Sequence, residues 1–276
     1  MMVPAAPRIE INGRAVGAGD LWSPLLSGYG HFTAMQVRGG RVRGIDLHLA
    51  RLDAATHELY GVGLAGERVR DCIRHALGDD ISDASVRVNV FSPEAGAGSE
   101  PGSDADNAAE PAISVLVSVR PPGSMPDGPW SLRTVEYQRP VAHIKHVGGF
   151  GQVYYGRVAK REGFDEALLV RPDGVIAEGA ITNIAFIEGG TVVWPDAPAL
   201  RGITMQVLER ELDRAGLPWR RRTVRVAELA SFDGAFVTNS RGIAPVGRID
   251  DQILPADVEL VGTVTRILAS AAWEAI

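Results

Sequence analysis

Residues 144–186 read IKHVGGFGQVYYGRVAKREGFDEALLVRPDGVIAEGAITNIAF, an isolated lysine followed by a helical stretch and a strand–turn–strand that ends in Glu178-Gly179. Lys145 closes an apolar run and precedes His146, Val147, Gly148 and Gly149, the pattern of a strand giving way to a loop. An amine held there is shielded from water. Loss of hydration lowers an ammonium's pKa, and the neutral amine attacks a carbonyl carbon to make a Schiff base. A helix is expected near residues 152–162. Asp173-Gly174 is a hairpin signal between LLVRP and VIAEG, so Glu178 falls at the end of the second strand of a tight pair. A lone lysine or a strand-end glutamate is ordinarily solvated; it is their succession within one stretch that points to chemistry.

A carboxylate in the place of Glu178 suits a pyridinium nitrogen, which needs an adjacent acid to stay protonated and serve as an electron sink. The run DEALLVRPDGVIAEGAITNIAF resembles the signature of the class IV aminotransferases, the fold type IV pyridoxal-phosphate enzymes. That family includes branched-chain aminotransferases, D-amino acid aminotransferases and 4-amino-4-deoxychorismate lyases. The resemblance runs from about Ile11 to about Trp273. It implies a mixed α/β (α+β), two-domain fold of the D-amino acid aminotransferase type, pyridoxal 5'-phosphate as cofactor, Lys145 as its Schiff-base lysine, Glu178 beside its ring nitrogen, and a homodimer.

The 276 residues are 45% hydrophobic, enough for one large core or two ordinary ones; two domains are expected. The formal charge is −6, with 28 basic and 34 acidic residues interspersed, so no basic stripe is offered to nucleic acid or an anionic membrane. Small molecules, an amino acid and an oxo acid, are the expected partners. Cys72 is the only cysteine, which rules out an intrachain disulfide and a cysteine-based metal site; no metal is expected. The segment MMVPAAPRIEING lacks a basic region followed by an apolar core, and no run approaches membrane-spanning length, so a cytoplasmic location is expected.

In chain order, residues 8–16 alternate around Asn12-Gly13 like a short hairpin, and SGYGHFTAMQVRGGRVRGI reads as two strands joined at Gly39-Gly40. A helix with Asp46 as candidate cap and Gly61 as stop carries an apolar stripe through Leu47, Leu49, Leu52, Ala55 and Leu59. Within it, His48-Leu49-Ala50-Arg51-Leu52 resembles the family's His-x-x-Arg-Leu, which implies that Arg51 grips the cofactor phosphate; the planar guanidinium fork suits that ligand. A second helix over 67–77 precedes the paired strands SVRVNVF and AISVLVSVR. Between them, 93–111 is rich in Gly, Ala, Ser and acids without large apolar residues, and is expected to be a disordered insertion. The domains are expected at 1–120 and 130–276, joined by a loop at 121–129 that contains PPGSMPDGP.

The second, cofactor-binding domain is expected to open with strands over 132–146. Pro195 and Pro198 interrupt regular structure, and Gly202-Ile203-Thr204 then opens a helix whose N-terminal N–H groups and dipole suit a phosphate. The family's Gly-Ile-Thr motif is intact here, which implies phosphate contacts from Ile203 and Thr204. Residues 232–249 read as strand, bend and strand, with Thr238-Asn239-Ser240-Arg241-Gly242 at the bend; the family implies a further phosphate contact from Asn239 and Ser240. A final helix is expected over 256–275.

The motifs divide over the branch. Phe32-Thr33 and the spacing of Lys145-His146 to Gln152-Val153 resemble the lyases, whereas Tyr29 replaces the acid of the lyases' Gly-Asp-Gly turn. Phe150 stands where branched-chain enzymes carry a tyrosine, with Tyr154 and Tyr155 nearby. The arginine turn of the D-amino acid branch is absent, Ser92-Pro93-Glu94 standing there instead. Tyr29, His31, Thr33, Arg87, Phe150 and Arg241 are the substrate-pocket candidates. The function expected is a pyridoxal-phosphate aminotransferase for a small amino acid and a 2-oxo acid. A 4-amino-4-deoxychorismate lyase-type elimination is the alternative, and a non-catalytic pyridoxal-phosphate-binding protein a more remote one.

Overall fold

The computed structural model describes residues 7–21, 28–93, 111–126, 128–255 and 258–276. The insertion expected at 93–111 lies, from 94 to 110, outside the described residues. The chain forms two compact units, one of Met1–Gly123, Ile144–Gly148 and Trp273–Ile276, the other of Ser124–His143 and Gly149–Ala272. Five residues around Lys145 thus group with the first unit although the chain on both sides of them belongs to the second.

In the first unit, β1 (Arg8–Ile11), β2 (Arg14–Ala15), β3 (His31–Val37), β4 (Arg41–Val42), β5 (Ala84–Phe91) and β6 (Ser114–Arg120) are accompanied by α1 (Ile45–Tyr60) and α2 (Gly66–Leu77). Among the described residues the main sheet has the order β2-β1-β6-β5-β3, antiparallel throughout. Its first hairpin turns on Asn12 (φ 50°) and Gly13 (φ 73°), the two left-handed residues that a two-residue turn between twisted strands requires. Strand alternation divides the sheet's faces. His31, Thr33, Met35 and Val37 are buried, and Met35 and Val37 share one core with Leu52 of α1, Ile73 of α2 and Val86 and Val88 of β5; Phe32, Ala34 and Gln36 are half-buried on the opposite face. Helix α1 begins one residue before Asp46, after Gly44 at φ 65°, so Asp46 lies in the first turn, where its charge suits the dipole; Gly61 ends the helix as expected.

The second unit holds β7 (Trp130–Glu136), α3 (Phe150–Arg161), β8 (Glu166–Val170), β9 (Ile176–Gly179), β10 (Asn183–Glu188), β11 (Thr191–Pro195), α4 (Ile203–Ala215), β12 (Trp219–Arg222), β13 (Gly234–Asn239), β14 (Gly242–Ile249), β15 (Gln252–Ile253) and α5 (Val258–Ser270). The described strands make one mixed sheet in the order β12-β11-β10-β13-β14-β7-β8-β9, with β15 paired to β14. The contacts β11–β12, β14–β7 and β7–β8 are parallel. Leu132, Leu168, Ile184, Phe186, Val237 and Val246 fill its core. The hairpin β8–β9 turns at Asp173-Gly174, Gly174 adopting φ 79°, and sets Glu178 opposite Leu169.

Two expectations change. The strand over 132–146 stops at Glu136; Val141 takes a left-handed φ of 44°, and 137–149 is irregular apart from a bridge between His31 and His146. The last helix stops at Ser270, and Glu274–Ala275 pairs with β4 in the first unit. Helix α2 draws that segment in: Arg70 Nη1 donates to Ala275 O at 2.9 Å and Arg74 Nε to Ile276 O at 2.8 Å. Among the described residues no helix is long and apolar enough to cross a membrane.

Candidate active site

Of the residues singled out in the sequence, the first unit holds Tyr29, His31, Thr33, Arg51, Arg87 and Lys145; the second holds Phe150, Glu178, Ile203, Thr204, Asn239, Ser240 and Arg241.

In the first unit the backbone around Lys145 docks on the start of β3. Phe32 N donates to Lys145 O at 2.9 Å and Val147 N to Gly30 O at 2.9 Å. This anchoring makes the lysine's position a property of the sheet rather than of a free loop. Lys145 is half-buried, with Nζ 4.9 Å from the centroid of the Phe32 ring. The same ring carries the Arg87 guanidinium at 3.6 Å, and Arg87 Nε donates to Asn89 Oδ1 at 2.8 Å. Cations are drawn to a ring's negative face, so Phe32 collects an amine and a guanidinium on one side of the sheet.

The other face of β3 holds a buried polar cluster under α1. Thr33 Oγ1 lies 2.6 Å from His48 Nδ1 and accepts a hydrogen bond from Arg51 Nη2. His31 Nε2 lies 3.0 Å from Thr56 Oγ1, which donates to Leu52 O at 2.7 Å. Burial pushes the His31 imidazole down to about 4, with the Arg51 charge acting in the same direction. It pushes His48 well below its ordinary value too, aided by Arg51 and Lys145. His31 and Thr33 were grouped with Arg87 as pocket candidates, and the pleat separates them. Odd-numbered residues of β3 face the helix and Phe32 faces the arginine, so His31 is a packed, neutral histidine. Tyr29 is 44% exposed and meets Tyr60 edge-on.

In the second unit, Glu178 is buried at the end of β9. Its Oε1 lies 3.5 Å from Arg139 Nε, and its Oε2 accepts from Leu200 N at 3.2 Å. Arg139 is itself buried and donates to Ala142 O; burial lowers its pKa and Glu178 opposes that shift. Leu200 is held in turn by Asn183, whose Nδ2 donates to Leu200 O at 2.7 Å. The following residue must be glycine, because a Cβ on Gly179 would sit 2.2 Å from Thr182 Oγ1 and 2.9 Å from Glu166 Oε1. Beside this strand end, Ala177, Asn183, Leu200 and Met205 line part of an open cavity of about 320 Å³.

Helix α4 starts at Ile203 after an extended Gly202, and among the described residues no side chain caps it. Its first intrahelical bond runs from Gln206 N to Gly202 O, so the N–H groups of Ile203, Thr204 and Met205 lie ahead of the ladder. Thr204 Oγ1 donates to Asn239 O at 2.8 Å, which brings the bend after β13 to the helix start. Asn239 Oδ1 accepts from Arg241 N at 2.8 Å, so this side chain shapes the bend. Next to it, Thr238 Oγ1 is buried with no hydrogen-bond partner among the described residues. Uncapped N–H groups with hydroxyls beside them suit a phosphate group. Phe150 is 81% exposed at the start of α3 and stacks on Tyr154, 6.0 Å between centroids.

Sequence reasoning passed over Arg139, Leu200 and Asn183. Asn183 stands inside the quoted signature; Arg139 is a single arginine in an irregular segment, 39 residues before its partner, and nothing local marks it.

The family described as Amino-transferase class IV matches residues 30–249. A putative branched-chain-amino-acid aminotransferase of Methanocaldococcus jannaschii is 26% identical over 275 residues, covering 95% of this chain and 93% of that protein. The aminodeoxychorismate lyase of Bacillus subtilis is 25% identical over 268 residues, covering 88% and 87%. In fold, the branched-chain aminotransferase of the thermophilic archaeon Thermoproteus uzoniensis, solved with norvaline, superimposes with a TM-score of 0.78 at 20% identity, over 95% of this chain and 94% of that one.

Proposed function

Because this chain belongs to the class IV aminotransferase family, we propose that it moves an amino group between a small amino acid and a 2-oxo acid, with Lys145 as the cofactor-bearing amine. Class IV aminotransferases depend on pyridoxal 5'-phosphate, and this protein is such an enzyme. The residues present fit that group: a buried carboxylate at Glu178 and, among the described residues, an uncapped helix start at Ile203 and Thr204 and a partnerless buried hydroxyl at Thr238. When bound, pyridoxal phosphate supplies an aldehyde that condenses with amines and a ring that accepts the electron pair released at the substrate α-carbon.

Each residue then has a task. Lys145 Nζ would be the amine that bears the cofactor's aldehyde carbon and the base that moves the substrate's α-proton. Glu178, its oxygens held by Arg139 and Leu200 N, would keep the cofactor's ring nitrogen charged. Arg51, the N–H groups of Ile203 and Thr204, and Asn239 and Ser240 would contact the phosphate. Arg87 takes the substrate carboxylate. The observation that carries this reading is the Phe32 ring, which holds the Lys145 amine and the Arg87 guanidinium within 4.9 and 3.6 Å of its centroid: an amine for the amino-acid α-carbon beside a cation for its carboxylate.

Thr33, where the aminotransferases usually carry an acid after the phenylalanine, favours a second reading, elimination from 4-amino-4-deoxychorismate. The deciding assay presents L- and D-amino acids with several oxo acids, and aminodeoxychorismate separately. Amino transfer to an oxo acid supports the first reading; release of pyruvate and 4-aminobenzoate without transfer replaces it with the second. We further propose a homodimer; a catalytically active monomer at micromolar concentration in sedimentation would refute it.

A further inference from the structure

Thr33 and His48 lie in the first unit, on β3 and α1, and neither has been given a chemical task above. Thr33 is fully buried, and its hydroxyl meets two groups, Arg51 Nη2 and His48 Nδ1. A guanidinium has only donors, so Thr33 Oγ1 accepts from Arg51. A threonine hydroxyl has one proton to give, and among the described residues the one acceptor within reach is His48 Nδ1 at 2.6 Å. With His48 Nδ1 as that acceptor, the imidazole's own proton is on Nε2 and the order is Arg51 N–H to Thr33 O, Thr33 O–H to His48 N. His48 and Arg51 are three residues apart on α1, so the relay closes across one helical turn and ties that turn to the strand on which the Lys145 backbone docks.

The two residues that hold Arg51 bring no charge of their own. A carboxylate in place of Thr33 would orient Arg51 equally well but would bring a negative charge of its own, whereas a hydroxyl fixes one N–H and adds no charge beside an anionic ligand. We propose that Thr33 and His48 are positioning residues that hold Arg51 for a phosphate monoester, and that they set this protein's preference for a phosphorylated over an unphosphorylated cofactor. The proposal rests on the assignment of Arg51 to the phosphate.

The test titrates full-length protein, freed of cofactor, with pyridoxal 5'-phosphate and with pyridoxal, which lacks the phosphate, following absorbance and intrinsic fluorescence. Thr33→Val is expected to weaken pyridoxal 5'-phosphate about tenfold, the effect of losing one hydrogen bond, and to leave pyridoxal within about twofold. Thr33→Ser, which keeps the hydroxyl, should restore the preference. Equal weakening of both ligands by Thr33→Val would show a merely structural role and overturn the proposal. So would an unchanged preference in Thr33→Val while Arg51→Met loses it. An unchanged preference in Arg51→Met refutes the phosphate assignment itself, and the proposal falls with it. Independently, 15N-histidine spectra of the unsubstituted protein should show His48 Nδ1 without a proton from pH 6 to 8; a protonated Nδ1 would overturn the relay.

Discussion

Arg139 Nε lies 3.5 Å from Glu178 Oε1, and both side chains are less than a tenth exposed. With Leu200 N on the other oxygen, Glu178 is confined in orientation as well as in charge. Removing one member of a buried ion pair leaves the other uncompensated, at a cost of about 3–5 kcal/mol. Arg139→Met should therefore lower the urea midpoint clearly, and Arg139→Met with Glu178→Gln should recover part of that loss. A double variant as unstable as the sum of the two singles would show that the pair is not coupled.

Glu178→Gln keeps the shape and removes the charge. The variant should stay yellow, because Lys145 needs no electron sink to hold the aldehyde. Half-reaction rates with the best amino substrate should fall at least about a hundredfold, roughly 2.7 kcal/mol. Near-normal turnover would reduce Glu178 to an ordinary strand-end residue.

Borohydride treatment of the yellow protein should attach the cofactor covalently to Lys145, as peptide mapping would read directly. Lys160 is the internal control, exposed on α3. Label on Lys160, or none, would sink the assignment of the central amine.

Arg51→Ala should weaken cofactor affinity by about 1.5–3 kcal/mol, the worth of a charge-assisted hydrogen bond. Thr204→Ala should cost less, since its hydroxyl is spent on Asn239 O and the N–H groups of the helix start survive the change. Equilibrium dialysis of the two variants side by side gives the ranking, and the reverse order would contradict it.

Gly179→Ala should destabilise the protein by roughly 1–3 kcal/mol in chemical denaturation, as overpacking does. The added carbon would press on Thr182 and on Glu166, whose carboxylate is buried and accepts from Ile181 N at 2.5 Å and Thr182 Oγ1 at 3.0 Å. A neutral effect would mean that the turn after Glu178 yields easily.

Two buried groups make stability depend on pH with opposite signs. His31 falls from 6.5 in the unfolded chain to about 4 when folded, so its contribution is present above pH 6.5 and is lost as pH falls through 4. Glu166 rises from 4.5 to about 7, chiefly through burial, so its contribution is complete below pH 4.5 and is lost as pH rises through 7. Each difference corresponds to about 3 kcal/mol at most. Unfolding free energies of His31→Gln and Glu166→Gln, each compared with the unsubstituted protein at pH 4.5, 6 and 7.5, should diverge in these two directions. Parallel curves would deny both shifts.

Several features of the fold were legible locally. Asn12-Gly13 and Asp173-Gly174 need left-handed backbone and made their hairpins; period-two alternation in β3 and β5 gave the sheet its two faces; Gly202-Ile203-Thr204 opened its helix. Each depends on neighbours a few residues away, so its physics is contained in a short window. The stretch that carries Lys145 and Glu178 was also readable as a family signature, and the family matches residues 30–249.

The tertiary structure decided what lies between distant segments. That Lys145 groups with the first sheet, that Glu274–Ala275 leaves its helix for β4, that Arg139 meets Glu178 and that Thr33 stands between His48 and Arg51 carry no periodicity and no turn signal. Buried polar groups must find partners once water is excluded, and which partner is at hand depends on where the chain returns after tens of residues. The same requirement accounts for His31: the strand's pleat placed it under a helix, and the packed helix supplied the Thr56 hydroxyl 3.0 Å from its Nε2.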